Sequence, residues 1–220
     1  MSKDWTGNKK SVWATLGASN HTDKERQEHD YYATDPIVLE KLTRVFPIRH
    51  KVYEPACGEG HLSKWLIEQG HDVLSTDLID RGYGHGGVDF LKVGSGTLSN
   101  GNGDQLFTKW GGQGNEPFDI LTNPPYKIST QFILHALELV PENGRVIMFL
   151  KTAYLEGINR KKLIYDVNPP RWVFQFSGRV VCAKSGDFES MKKIGSAQAY
   201  CFMVWNKENK ELKTEIKWLP

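Results

Sequence analysis

The sequence has few cysteines, no long apolar run and no complete dinucleotide-binding glycine pattern, and each shortage excludes something. Three cysteines stand in 220 residues: Cys57, Cys182 and Cys201. They are far apart, odd in number, and without a CxxC pair or a Cys/His ligand spacing. Neither a disulfide framework nor a metal site is expected, and reduced thiols are. No apolar run approaches the ~20 residues of a membrane span. Met1–Lys10 is polar and carries no secretory apolar stretch. The expectation is a cytoplasmic protein with no membrane partner.

Charge of either sign is not in large excess. The net charge is +2, but it is unevenly spread. Up to Leu150, 15 basic residues face 19 acidic ones; from Lys151 onward, 13 face 7. A basic final third suits phosphates, although an ordinary solvated surface would look the same.

With 39% hydrophobic residues, the chain can bury one full core. Residues 1–30 are polar and read as an arm. Residues 31–206 read as one domain and 207–220 as a charged, exposed tail. Asp35-Pro36 opens a helix whose apolar face is Ile37, Leu39, Leu42 and Val45. Lys51–Pro55 reads as a strand, and Leu62, Leu66 and Ile67 mark a helix closed by Gly70. Asp72–Thr76 and Gly86–Phe90 read as strands. Residues 94–117, rich in Gly, Asn and Ser, read as an insertion loop. Beyond it, Phe118–Thr122 is a buried type of strand, Thr130–Val140 a helix, Arg145–Leu150 a strand and Ile158–Tyr165 a helix. Arg171–Phe176 and Ala199–Trp205 read as closing strands joined through a long loop. Alternating strands and helices imply an α/β fold with a mostly parallel, doubly wound sheet, whose ligands bind at the C-terminal strand ends.

Chemistry-bearing residues fall at those ends. Glu54-Pro55-Ala56-Cys57-Gly58-Glu59-Gly60 spans the first strand end and the turn into a helix. Gly58 and Gly60 permit positive φ and close approach of a ligand. Glu54 suits an ammonium group and would repel a phosphate. The full GxGxxG pattern fails because position 63 is Ser. A small zwitterion with a cationic amine fits better than a dinucleotide. Asp77, at the next strand end, reads as an acceptor for ribose hydroxyls, with a capping role as the alternative. Asp89 reads as an acceptor for an adenine amino group and Phe90 as a wall against the purine; the alternative is a cap and a core residue.

Thr122-Asn123-Pro124-Pro125-Tyr126 follows an apolar strand. Two prolines end the ladder there and stiffen the loop. The Asn123 side-chain oxygen and the Pro124 carbonyl can accept both N–H groups of a planar, conjugated amine, which frees its lone pair for attack on a methyl donor. Tyr126 offers a face for a base to stack on. No covalent intermediate and no metal are needed; positioning and electrostatics do the work. An isolated Asn-Pro-Pro turn would be a purely structural reading.

Together these segments resemble the N6-adenine DNA methyltransferases, especially the small phage-type or orphan members. Tyr53–Gly60 is similar to the family's cofactor motif and Asn123–Tyr126 to its NPPY motif. Tyr32-Ala33-Thr34-Asp35-Pro36 is similar to the segment that closes over the methionine end of the cofactor. The resemblance runs from Tyr31 to Trp205. It implies a Rossmann-like, seven-stranded class I methyltransferase sheet with an antiparallel last strand. It further implies S-adenosyl-L-methionine as cofactor, DNA as partner, base flipping, and a bacterial or phage-infected cell as setting. By the same carry-over, Tyr32, Thr34, Glu54, Gly58, Gly60, Asp77, Asp89 and Phe90 bind cofactor, and Asn123, Pro124 and Tyr126 are catalytic. Phe174 and Phe176 fall where the family places an aromatic beside the flipped base. No separate recognition domain fits in this length. The candidate substitutes are the 94–117 insertion, the N-terminal arm and the recognition-loop candidate 181–197, with Arg179, Lys184, Lys192 and Lys193 in or beside the last.

RNA adenine methyltransferases and release-factor glutamine methyltransferases share the NPPY tetrapeptide, because their substrates also present a planar amino group. A catalytically silent nucleic-acid binder and a small-molecule methyltransferase are further alternatives.

Overall fold

A computed structural model describes residues 32–94, 117–183, 188–189, 198–207 and 209–220. The proposed arm, most of the proposed insertion, and Lys184, Lys192 and Lys193 lie outside the described residues.

Strand β1 (Ala33–Thr34) precedes helix α1 (Ile37–Thr43). Then come β2 (Lys51–Glu54), α2 (His61–Glu68), β3 (Asp72–Ser75) and β4 (Asp119–Thr122). Helix α3 (Ser129–Leu139) and β5 (Arg145–Lys151) follow. The chain ends through β6 (Trp172–Phe176), β7 (Cys182–Ala183), β8 (Tyr200–Asn206) and β9 (Glu215–Leu219). Seven strands form one sheet in the order β3-β2-β4-β5-β8-β6-β9, and β1 pairs with β7 in a separate ribbon. Within the large sheet only β8 runs antiparallel, against β5 on one side and β6 on the other.

Alternation along the strands sorts side chains onto two faces. Tyr53, Ile120, Val146, Met148, Met203 and Trp205 share one core with Phe132, Ile133 and Ala136 of α3. Val52, Leu121, Ile147, Phe149, Phe202 and Val204 share the other with Val38, Leu39 and Leu42 of α1 and Leu62 and Leu66 of α2. Helices thus cover both faces, which is why β5 and β8 read as continuous apolar runs.

The fold class is the expected one, but its strands differ in detail. Gly86–Phe90 is not a strand; Asp89 caps a short 3-10 turn, Phe90–Lys92. The seventh strand is instead β9, in the segment read as a charged tail, where it pairs parallel to β6. Its outward-facing alternation hides only Leu219, so the sequence signal was weak. The antiparallel strand is therefore not the last in the chain. Helix α1 ends at Thr43, leaving Val45 half exposed, and Ile67 also faces outward. The Ile158–Tyr165 region is one short α-helical turn continued by a π-helical one, Lys161–Tyr165.

At the opposite end from the site, buried Asp119 accepts from Arg145 Nε at 3.0 Å and Nη2 at 2.6 Å, and from the Arg49 amide at 2.9 Å. This clamp satisfies a buried carboxylate and fixes the start of β4 beside β5.

Candidate active site

The strand ends open into a cavity. Its wall brings together nine of the eleven residues expected to bind cofactor or act in catalysis: Tyr32, Thr34, Glu54, Asp77, Asp89, Phe90, Asn123, Pro124 and Tyr126. Gly58 and Gly60 stand behind it. Both have positive φ, 56° and 78°. Gly60 is needed for a reason internal to the protein: a Cβ there would lie 2.2 Å from the Tyr83 ring.

Glu54 is buried, 2% exposed, and accepts from the Ser63 hydroxyl, which is 2.6 Å from that of Ser75. Burial raises its pKa to about 8, against the opposing effect of the Ser63 hydrogen bonds and with a smaller push from Asp77. A cation arriving beside it would favour the ionised form.

Asp77 holds the turn together. The Gly58 amide donates to its Oδ2 at 2.8 Å and the Ile79 amide to its Oδ1 at 2.9 Å, while Arg81 lies 3.7 Å away. A carboxylate has about four acceptor positions, so capacity remains for a vicinal diol. The capping and ribose readings are thus compatible. Asp89 caps Leu91 at 3.2 Å and meets Lys92 at 3.2 Å. Phe90, 2% exposed, packs on Phe132 and His135 and forms the cavity floor as a core residue.

Asn123 is held by its amide nitrogen, which donates to Thr34 Oγ1 at 2.9 Å and to the Tyr32 carbonyl at 3.4 Å. A carbonyl only accepts, so the nitrogen must face Tyr32 and the oxygen must face away. That oxygen is buried without a partner. Thr34 reaches Asn123 because β1 is pinned by β7, Ala33 opposite Ala183 and Thr34 opposite Cys182. Among the described residues nothing donates to the Pro124 carbonyl. Tyr126 has its hydroxyl buried beside Cys182 and Tyr200, and burial raises its pKa well above the ordinary phenol range.

Two expected substrate contacts are corrected. Phe174 and Phe176 are core residues of β6, 0% and 5% exposed, packed with Phe46, Phe149 and Phe202. They do not line the cavity. A strand with both faces covered buries side chains on either face, which an aromatic pattern alone does not distinguish from a ligand wall. Arg179 is exposed and outside the cavity wall.

The sequence reading also missed participants. Ser63, Ser75 and Tyr83 surround Glu54, and Arg81 pairs with Asp77. Lys151 sets its ammonium 4.7 Å from the centre of the Tyr126 ring. None belongs to a motif: Ser63 arrives on α2, Ser75 and Lys151 on strands, and Arg81 and Tyr83 within residues 76–89.

Fold and site define a Rossmann-like α/β protein with a seven-stranded, mostly parallel sheet and its pocket at the C-terminal strand ends. In fold it is similar to a candidate hemolysin from Lactococcus lactis, with a TM-score of 0.54 at 11% identity over 83% of this chain and 91% of that one. It is similar also to a modification subunit of a candidate type I restriction enzyme from Vibrio vulnificus, with a TM-score of 0.52 at 12% identity over 96% of this chain; it spans 50% of that subunit. A candidate class I S-adenosylmethionine-dependent methyltransferase from Listeria monocytogenes gives 0.49 at 13% identity over 95% of this chain and 71% of that one. At these identities the likeness is one of fold. No protein-family model matches the chain, and no curated protein matches its sequence.

Proposed function

We propose that the protein is an S-adenosylmethionine-dependent methyltransferase acting on the N6 amino group of an extruded adenine in DNA. The observation that carries this reading is the buried, unpartnered Asn123 oxygen at the cavity wall. An acceptor left unpaired in a buried site costs about 1–3 kcal/mol, and a ligand N–H would remove that cost.

The cavity suits the cofactor. Glu54 would meet its ammonium group, Asp77 the ribose hydroxyls, and Asp89 and Phe90 the adenine end. The bound cofactor supplies an electrophilic sulfonium methyl. Asn123 Oδ1 and the Pro124 carbonyl accept the two N–H groups of the target amine, so its lone pair turns out of conjugation toward that methyl. Methyl transfer to that amine would leave one N–H proton in excess, which would pass to water, since neither Asn123 Oδ1 nor the Pro124 carbonyl is a base strong enough to keep it. Asn123 and Pro124 hold the geometry throughout. Such preorganised acceptors are worth about 10²–10³ in rate by analogy with oxyanion donors.

DNA is favoured over RNA or a protein glutamine by the Tyr32–Pro36 segment, which resembles that of the DNA enzymes. It is compatible with a fold shared with the Vibrio modification subunit. The test incubates the protein with methyl-labelled S-adenosylmethionine and unmethylated DNA, RNA or a release factor, followed by digestion and mass spectrometry. N6-methyladenine in DNA supports the reading. Label in RNA or on glutamine moves the substrate class, and no label in any of them overturns the reading.

A further inference from the structure

Among the described residues, two cations near the C-terminal strand ends are neutralised by carboxylates. Arg81 faces Asp77 at 3.7 Å and Lys92 faces Asp89 at 3.2 Å. Lys151, in contrast, closes β5 next to β4, the strand that leads into Asn123. Among the described residues it has no carboxylate partner; its ammonium rests over the Tyr126 ring instead. A cation gains from an aromatic face, but far less than from a phosphate, which meets it with full charge and hydrogen bonds.

The geometry points to Lys151 as a positioning residue for the substrate strand: it rests on Tyr126 in the free protein and takes a phosphate flanking the target nucleotide when a base enters. This rests on the proposed nucleic-acid reading of the same site. Tyr126 lines the cavity beside Asn123, so its ring is the surface a planar base would use. Base and ammonium then compete for aromatic surface. A displaced ammonium needs an anion, and the phosphates of the incoming nucleotide are the anions that every substrate brings. The lysine arm is long and flexible, with a compact charge that does not require planar geometry. Its role is therefore independent of base sequence, and it falls outside the loop expected to carry recognition.

The experiment compares the intact protein with Lys151→Met on an unmethylated oligonucleotide containing the adenine that the protein methylates. Anisotropy gives affinity over a salt series, and methyl transfer gives kcat and KM. In the variant, affinity should fall and KM rise about tenfold, with kcat within about twofold. The log–log salt slope should flatten by about 0.9, the value for one phosphate contact. A neutral methylphosphonate flanking the target should weaken the parent protein about as much and the variant hardly at all. Unchanged cofactor affinity by calorimetry verifies that the variant is folded. If it does not fold, the methylphosphonate scan of the parent decides alone: indifference at each flanking phosphate overturns the assignment. So does an unchanged salt slope with additive losses, which would leave Lys151 a mere prop for Tyr126. A parent protein that methylates neither DNA nor RNA removes the nucleic-acid reading itself, and Lys151's role with it.

Discussion

Thr34 holds the amide that the Tyr32 carbonyl orients: its Oγ1 lies 2.9 Å from the Asn123 amide nitrogen, and the amide oxygen is left buried and unpaired. The proposed acceptor is thus held by a residue 89 positions away in sequence. Thr34→Val keeps the shape and removes the hydroxyl, so the amide can turn. Expected is a fall in kcat of roughly 10–100-fold, the scale of a small misplacement, with Thr34→Ser restoring most of it. Asn123→Ala should abolish turnover while cofactor affinity, read by calorimetry, changes little. Near-normal kcat in Thr34→Val would mean that Asn123 is aimed by something else.

Glu54 makes stability depend on pH in a defined direction. Its folded pKa, about 8, lies above the ordinary value of 4.5 because the carboxyl is buried. Between those values the folded protein keeps a proton that the unfolded chain has lost. Stability contributed by this group is therefore full below pH 4.5 and lost as pH rises toward 8, by up to ~1.4 kcal/mol per unit. Glu54→Gln lacks that slope. In thermal melts without ligand, its Tm should gain on the parent from pH 5 to pH 8, by about 2–4 °C for each kcal/mol. Parallel profiles would show that the carboxyl stays ionised in the folded protein.

Gly60 and Tyr83 are coupled by contact. Gly60→Ala meets two obstacles, a left-handed backbone with φ of 78° and the Tyr83 ring at 2.2 Å. The first costs about 1–2 kcal/mol and the second adds overpacking of about 1–3 kcal/mol. In a Tyr83→Ala background only the first remains. A double-mutant cycle in urea should therefore show coupling above ~1 kcal/mol. Additive losses would place the cost of Gly60→Ala in the backbone alone.

Sequence made the site more legible than the sheet. Glu54, Asp77, Asn123 and Tyr126 announce themselves because strand ends followed by Gly or Pro force loops, and loops at one end of a parallel sheet converge. What stayed hidden depends on register. Thr34 reaches Asn123 through a two-residue ribbon with Cys182, too short to give any period. Lys151 reaches Tyr126 because β5 and β4 are neighbours. Phe174 and Phe176 lie on a strand that belongs to the core, and their spacing could not say which side was ligand.

Strand β9 is where local pattern and tertiary structure diverge most, and it yields a discriminating test. Its Ile216 and Trp218 are 53% and 67% exposed, whereas Leu219 is 0% exposed and packs in the core of α1 and α2. Read as a charged tail, the segment would tolerate change throughout. As a strand docked on β6, it should respond at one position. Leu219→Ala loses a buried side chain and leaves a void, an expected cost of about 2–5 kcal/mol. Trp218→Ala removes the larger side chain from a surface and should shift stability by no more than about 0.5 kcal/mol. Urea melts of the two variants decide. A larger loss for Trp218 than for Leu219 would mean that the strand turns its other face to the protein, by a one-residue slip in its pairing with β6.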